Sequence, residues 1–220
     1  KDKIRNYFVH LLKKNKNFAF FNNDYNGDLF DILQEKKFDI LHIHWFPRLF
    51  NFKKLLEFNR PILFTLRDYW LLTGGCNYPV NCDKYKNICN SCPHLKINLK
   101  NDLSFYNFVK KREIIEKIKS KIYIICLNKE ILDEVKKLNI FIQDQIYHIP
   151  NAIDDTIFFK QKNLKRISEK KIILFGAQNL DQEWKGTEIL INLSKRINKN
   201  KYILMSYGKI SKILEQKIKE

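Results

Sequence analysis

The chain has 220 residues, 45% hydrophobic and 14% aromatic, enough apolar material for one large domain or two small ones. Lys plus Arg number 41 and Asp plus Glu 24, a net +17 that points to an anionic partner such as phosphate, nucleic acid or an acidic membrane surface. The bland alternative is a drift toward Lys, Asn and Ile, because the basic residues are spread along the chain and form no tract. No apolar run reaches the roughly 18 residues that a membrane span needs, which argues against a membrane-spanning class.

The elements follow in chain order. Residues 1–14 place Ile4, Phe8, Leu11 and Leu12 on one helical face, which predicts an amphipathic helix packed on a sheet. This basic stretch lacks the apolar core of a secretory signal. The chain opens on Lys1 and Met205 is its only methionine, so the expectation is a chain truncated at its start. Phe38 to Phe46 reads as a buried strand, Asn51 to Asn59 as a short helix and Pro61 to Leu66 as the next strand. Residues 69–100 hold Gly74-Gly75, Pro79, Pro93 and four cysteines with little periodicity, a long loop of the kind that is functional or stapled. Leu103 to Ile118 is a helix, Lys121 to Leu127 a strand, Lys129 to Leu138 a helix and Gln145 to Ile149 a strand. This alternation predicts a parallel sheet with helices on both faces. Residues 151–170 read as a polar linker. The pattern then restarts, with strands at Lys171 to Gly176 and Tyr202 to Tyr207 and helices at Gly186 to Ile197 and Ile210 to Ile218. Two strands and two helices make only the start of a second α/β domain, so truncation is expected at this end as well.

Of the five cysteines, Cys126 sits alone in an apolar run and reads as a small core side chain. Cys76, Cys82, Cys89 and Cys92 are spaced C-x5-C-x6-C-x2-C. Four thiolates in one loop can hold Zn2+ tetrahedrally, as a structural site with no open position, with His94 as a substitute ligand. Disulfides and free thiols are the alternatives.

Several segments in order resemble one family. These are Asp39-Ile40-Leu41-His42-Ile43-His44-Trp45, then Thr65-Leu66-Arg67-Asp68-Tyr69-Trp70 with Thr73-Gly74-Gly75-Cys76-Asn77-Tyr78, and then Cys82, Cys89 and Cys92-Pro93. Ile149-Pro150-Asn151-Ala152-Ile153-Asp154, Leu174-Phe175-Gly176-Ala177 and Lys185-Gly186 complete the series. Together they resemble family-four bacterial glycosyltransferases of the surface-polysaccharide subgroup with a Cys-rich loop, across about residues 25 to 209. The resemblance implies a retaining enzyme of GT-B fold, with two Rossmann-like domains facing a cleft. The N-terminal domain (1–150, its first strand missing) would hold the acceptor; the nucleotide-sugar domain would begin at 171. Arg67 stands where the family usually has His, and Ala152 stands where its hinge has Gly. Ala177 to Trp184 lacks the basic residue usual ahead of Lys-Gly. The paired glutamates that bind nucleotide ribose would lie beyond residue 220.

The residues themselves carry matching chemistry. Lys185-Gly186-Thr187 opens a helix, where free amide N–H groups and the Lys charge suit a diphosphate. With Gly176 these are the expected nucleotide-sugar contacts. Asp68 follows a strand at the edge where parallel sheets bind ligands, either to bond acceptor hydroxyls or to cap a turn. His44 lines the same edge. Arg67 contacts phosphate there or faces solvent, and His42 reads as a satisfied core residue. The leading expectation is a hexosyl-type transferase. It moves a sugar from a nucleotide-sugar donor to a cell-surface glycan or lipid-linked acceptor, in the cytoplasm, as a peripheral protein at the inner membrane face. The 220 residues alone are expected to be inactive. Two other readings are a zinc-stapled, basic nucleic-acid-binding protein, for which the aromatics sit in the wrong places, and a transferase-like binding module without activity.

Overall fold

The computed structural model describes residues 9, 11–15, 18–97, 99–159 and 168–219. The chain divides into two compact units, Lys1–Ala152 and Ile153–Glu220. Most of the helix expected over residues 1–14 lies outside the described residues. Val9, Leu11 and Leu12 are helical. Val9 and Leu12 pack with Phe18, Phe20, Cys76, Cys92 and Leu95, so this segment sits on the cysteine loop rather than on the sheet.

The first unit is built on a four-stranded parallel sheet. In chain order its elements are α1 (Leu29–Glu35), β1 (Leu41–Ile43), β2 (Ile62–Leu66), α2 (Leu103–Ile118), β3 (Ile122–Cys126), α3 (Lys129–Leu138) and β4 (Ile146–His148), with sheet order β1-β2-β3-β4. Runs of β-branched and aromatic residues make these strands, and their two-residue period sorts the faces. Ile43, Phe64, Ile124 and Ile146 stand in one row and are buried. His42 and His44 leave β1 on the opposite face. Ahead of β2, the segment expected as an ordinary helix is a tighter 3-10 turn, Phe52–Glu57, which buries Phe52 and Leu55 completely. Phe46, Phe50, Phe52 and Phe58 pack around it, and Trp70 stacks on Phe46 at 5.3 Å between ring centres. The expected helices over 103–118 and 129–138 are observed with those bounds. Each has a side-chain cap: Asp102 accepts from the amides of Ser104 and Phe105, and Asn128 from that of Ile131. α3 ends at Asn139, whose φ of 50° is the left-handed stop. The strand expected over 38–46 shortens to three residues, and α1 was not anticipated.

Among the described residues of 69–100 the only helical turn is Lys84–Lys86. α2 holds this loop in place of a ladder. The Lys111 ammonium donates to the carbonyls of Trp70 and Thr73, and Arg112 donates to that of Leu72. At the far end, the Cys92 amide donates to Asp102 at 2.6 Å.

The second unit pairs β5 (Lys171–Asn179) with β6 (Tyr202–Lys209) in parallel and carries α4 (Thr187–Arg196) and α5 (Lys212–Lys219). These are the two strands and two helices expected, with each strand running two or three residues further. Gly208 has φ +120°, and a Cβ there would sit 1.7 Å from the Ala177 carbonyl oxygen.

Candidate active site

The C-terminal ends of β1, β2 and β4 bring together residues far apart in sequence. Arg67, exposed just past β2, donates from one Nη to Asn151 Oδ1 at 2.6 Å and from the other to His44 Nδ1 at 3.2 Å. His42 lies 4.2 Å from His44 between ring centres, and its Nε2 bonds Thr65 Oγ1 at 2.8 Å. His42 is exposed, which corrects its expected place in the core. Desolvation, then the nearby His44 and Arg67, holds the His42 imidazole below its ordinary range.

Asp68 stands beside this cluster, half-buried. Its Oδ1 accepts from the Trp70 amide at 2.9 Å; its Oδ2 accepts from Trp45 Nε1 at 3.0 Å and from Asn77 Nδ2 at 2.5 Å. It therefore caps the turn and still faces the edge. A carboxylate has about four acceptor positions, so three donors leave one on Oδ1 for a ligand hydroxyl. Burial raises its carboxyl above the ordinary range, against the Trp70 amide, Trp45, the Lys111 charge and Asn77. Trp45 and Asn77 were quoted for the resemblance but carried no site role. A short polar residue nine positions beyond Asp68 gives no local signal of a bond across a loop. Asn151 had been assigned to the hinge, and only the fold brings it to Arg67.

The four clustered cysteines line one cavity of about 20 Å³ with His94, Tyr85 and Phe20. All are free thiols. At Cys89 two neighbours favour the anionic form: the Gly74 amide donates to its Sγ at 3.2 Å, and the Lys111 charge lies nearby. Burial nevertheless dominates, pushing Cys76 up to about 12 and Cys89 up to about 11. The donor chemistry suits Zn2+. The placement does not: among the described residues no three His, Cys, Asp or Glu are grouped to hold a metal ion. Lys111 itself lies 3.6 Å over the Trp70 ring, and burial lowers it to about 7 against the opposing pull of Cys89, Cys76 and Asp68. Nothing in the sequence marked it out among the other lysines.

In the second unit Lys185 is exposed and ends a 3-10 turn, Glu183–Lys185. Gly186 follows as the N-cap of α4 with φ +75°, and Thr187 Oγ1 bonds the Leu180 carbonyl. Lys185 and Gly186 thus stand at a helix N-terminus, the position expected for them. Gly176 pairs with Tyr207 across the sheet, and a Cβ on it would meet the Tyr207 ring at 2.0 Å. Packing alone therefore accounts for that glycine. Among the described residues no helix is long and apolar enough to cross a membrane. In comparisons with known proteins, no family model and no curated protein matches this chain.

Proposed function

We propose that the chain belongs to a retaining glycosyltransferase of GT-B type that moves a sugar from a nucleotide-sugar donor to a cell-surface glycan or lipid-linked acceptor at the cytoplasmic membrane face. The observation that carries the reading is the gathering of His44, Arg67 and Asp68 at the C-terminal edge of a parallel sheet, where open α/β folds bind ligands. In this reading the first unit holds the acceptor and the free position on Asp68 orients its attacking hydroxyl. Lys185 and the start of α4 meet the donor diphosphate, where negative charge grows as the glycosyl bond breaks. The test is calorimetric titration with UDP, GDP, ADP and a short duplex DNA, at low and at physiological salt. Binding of one nucleoside diphosphate, lost in Lys185→Ala, supports the proposal. Binding of DNA with no response to any diphosphate overturns it in favour of a nucleic-acid-binding protein.

Within the same proposal, the four sulfurs, which line one cavity but form no metal-holding group as placed, draw together when they bind one Zn2+. One equivalent of zinc in the purified reduced protein, lost in Cys89→Ser/Cys92→Ser, supports this. A metal-free chain with four titratable thiols removes it.

A further inference from the structure

Around Arg67, the groups that the first unit presents at its sheet edge are hydrogen-bond donors. A guanidinium has five N–H donors and no acceptor. Because Arg67 donates to His44 Nδ1, that nitrogen is the unprotonated one and Nε2 carries the ring hydrogen. The two bonds to His44 and Asn151 use two of the five Arg67 donors and fix the plane of the fork. Three N–H groups of Arg67 and the Nε2–H of exposed His44 remain. Among the described residues no carboxylate forms an ion pair with Arg67. Asp68, the nearest acid along the chain, gives three of its four acceptor positions to Trp70, Trp45 and Asn77 and keeps one, on Oδ1, for the attacking hydroxyl. A neutral sugar hydroxyl, which both donates and accepts, uses the Arg67 and His44 donors only in part. An acceptor-only oxyanion uses all of them.

We propose that the Arg67–His44–Asn151 edge recognises a phosphoryl group on the acceptor, so that the acceptor is a phosphorylated molecule rather than a neutral glycan end. This rests on the reading of the first unit as the acceptor half. The chemistry is shared by a lipid phosphate headgroup and a free sugar phosphate.

The test follows the histidine side-chain resonances of the 15N-labelled chain during titration with inorganic phosphate, acetate and glucose 1-phosphate. Phosphatidic acid vesicles, with phosphatidylcholine vesicles as control, form the lipid arm. The expected result is a saturable phosphate response at His44 that weakens about tenfold or more in Arg67→Gln, the effect of losing a charge-assisted hydrogen bond. Arg67→His, which leaves a smaller donor at the same exposed position, should lose it similarly. Lys117→Gln, an exposed control on α2, should change it less than about twofold, as one charge among 41 basic side chains. Preference for phosphatidic acid over glucose 1-phosphate assigns the lipid source, and the reverse assigns the soluble one. Equal phosphate affinity in the parent and Arg67→Gln overturns the inference, as does a response to acetate as strong as that to phosphate. Diphosphate binding lost in Lys185→Ala, with His44 silent to phosphate, overturns it while leaving the donor reading standing.

Discussion

Lys111 offers the sharpest physical test of the first unit. Its ammonium is fully buried, over the Trp70 ring and against the carbonyls of Trp70 and Thr73. In the unfolded chain it titrates near 10.5, and in the folded chain burial lowers it to about 7. Between those values the unfolded chain binds one proton more than the folded one, so stability must rise with pH. The slope is about 1.4 kcal/mol per pH unit when the gap is full. Folded Lys111 is half protonated at pH 7 and neutral by pH 9, which gives an expected gain of about 2 kcal/mol over that interval. Lys111→Met removes this term. The buried thiols contribute with opposite sign, because their raised values lose stability as pH climbs through the ordinary thiol range. They are common to both proteins and cancel in the difference, apart from the coupling of Cys89 and Cys76 to the Lys111 charge. The assay is urea unfolding in reductant at pH 7 and pH 9, in a Trp184→Phe background so that fluorescence from Trp45 and Trp70 reports on the first unit. The stability difference between parent and Lys111→Met should shift by about 2 kcal/mol in favour of the parent at pH 9. A shift below about 0.5 kcal/mol, within the error of such extrapolations, would refute the buried, titrating lysine.

Other outcomes follow from single contacts. Asn77→Ala deletes a donor to Asp68 Oδ2 and should raise the Asp68 carboxyl further, read by carbon NMR during an acid titration; an unchanged value refutes that bond. In metal-free protein, an aromatic disulfide reagent near pH 8 should modify half-buried Cys82 first. Cys76 and Cys89, held near 12 and 11, should react only on unfolding, and early loss of Cys76 contradicts the burial. Gly186→Ala should cost the second unit about 1 kcal/mol, for left-handed backbone whose added Cβ makes only ordinary contact with Ile189. Gly208→Ala should cost about 2 kcal/mol or more, because its Cβ meets backbone; equal costs in thermal unfolding refute the close approach.

Much of the architecture was legible in the sequence. Both long helices announce themselves by spacing, and the strands by compact apolar runs. α1 was missed because Leu29–Glu35 is only seven residues and buries a single side chain, Phe30, which leaves almost no period to detect. The 51–59 segment has helical spacing, but six residues closing on Phe58 favour the tighter turn. At the site, His44, Arg67 and Asp68 were legible because each stands just past the end of a strand. His42 was misplaced through the assumption that β1 is buried on both faces, although its alternation with Ile43 already put the two histidines together on one side. The roles of Asn77, Lys111 and Asn151 depend on contacts across 9, 41 and 84 positions, which no local pattern encodes.

The central claim is that a nucleotide-sugar donor meets the second unit through its diphosphate. Amide resonances of the 15N-labelled chain, followed during titration with UDP, GDP and ADP, test it most directly. The account predicts saturable shifts at Lys185, Gly186 and Thr187 for at least one of them, abolished by Lys185→Ala. Shifts scattered over surface lysines and removed by physiological salt, with those three amides unmoved, would contradict it.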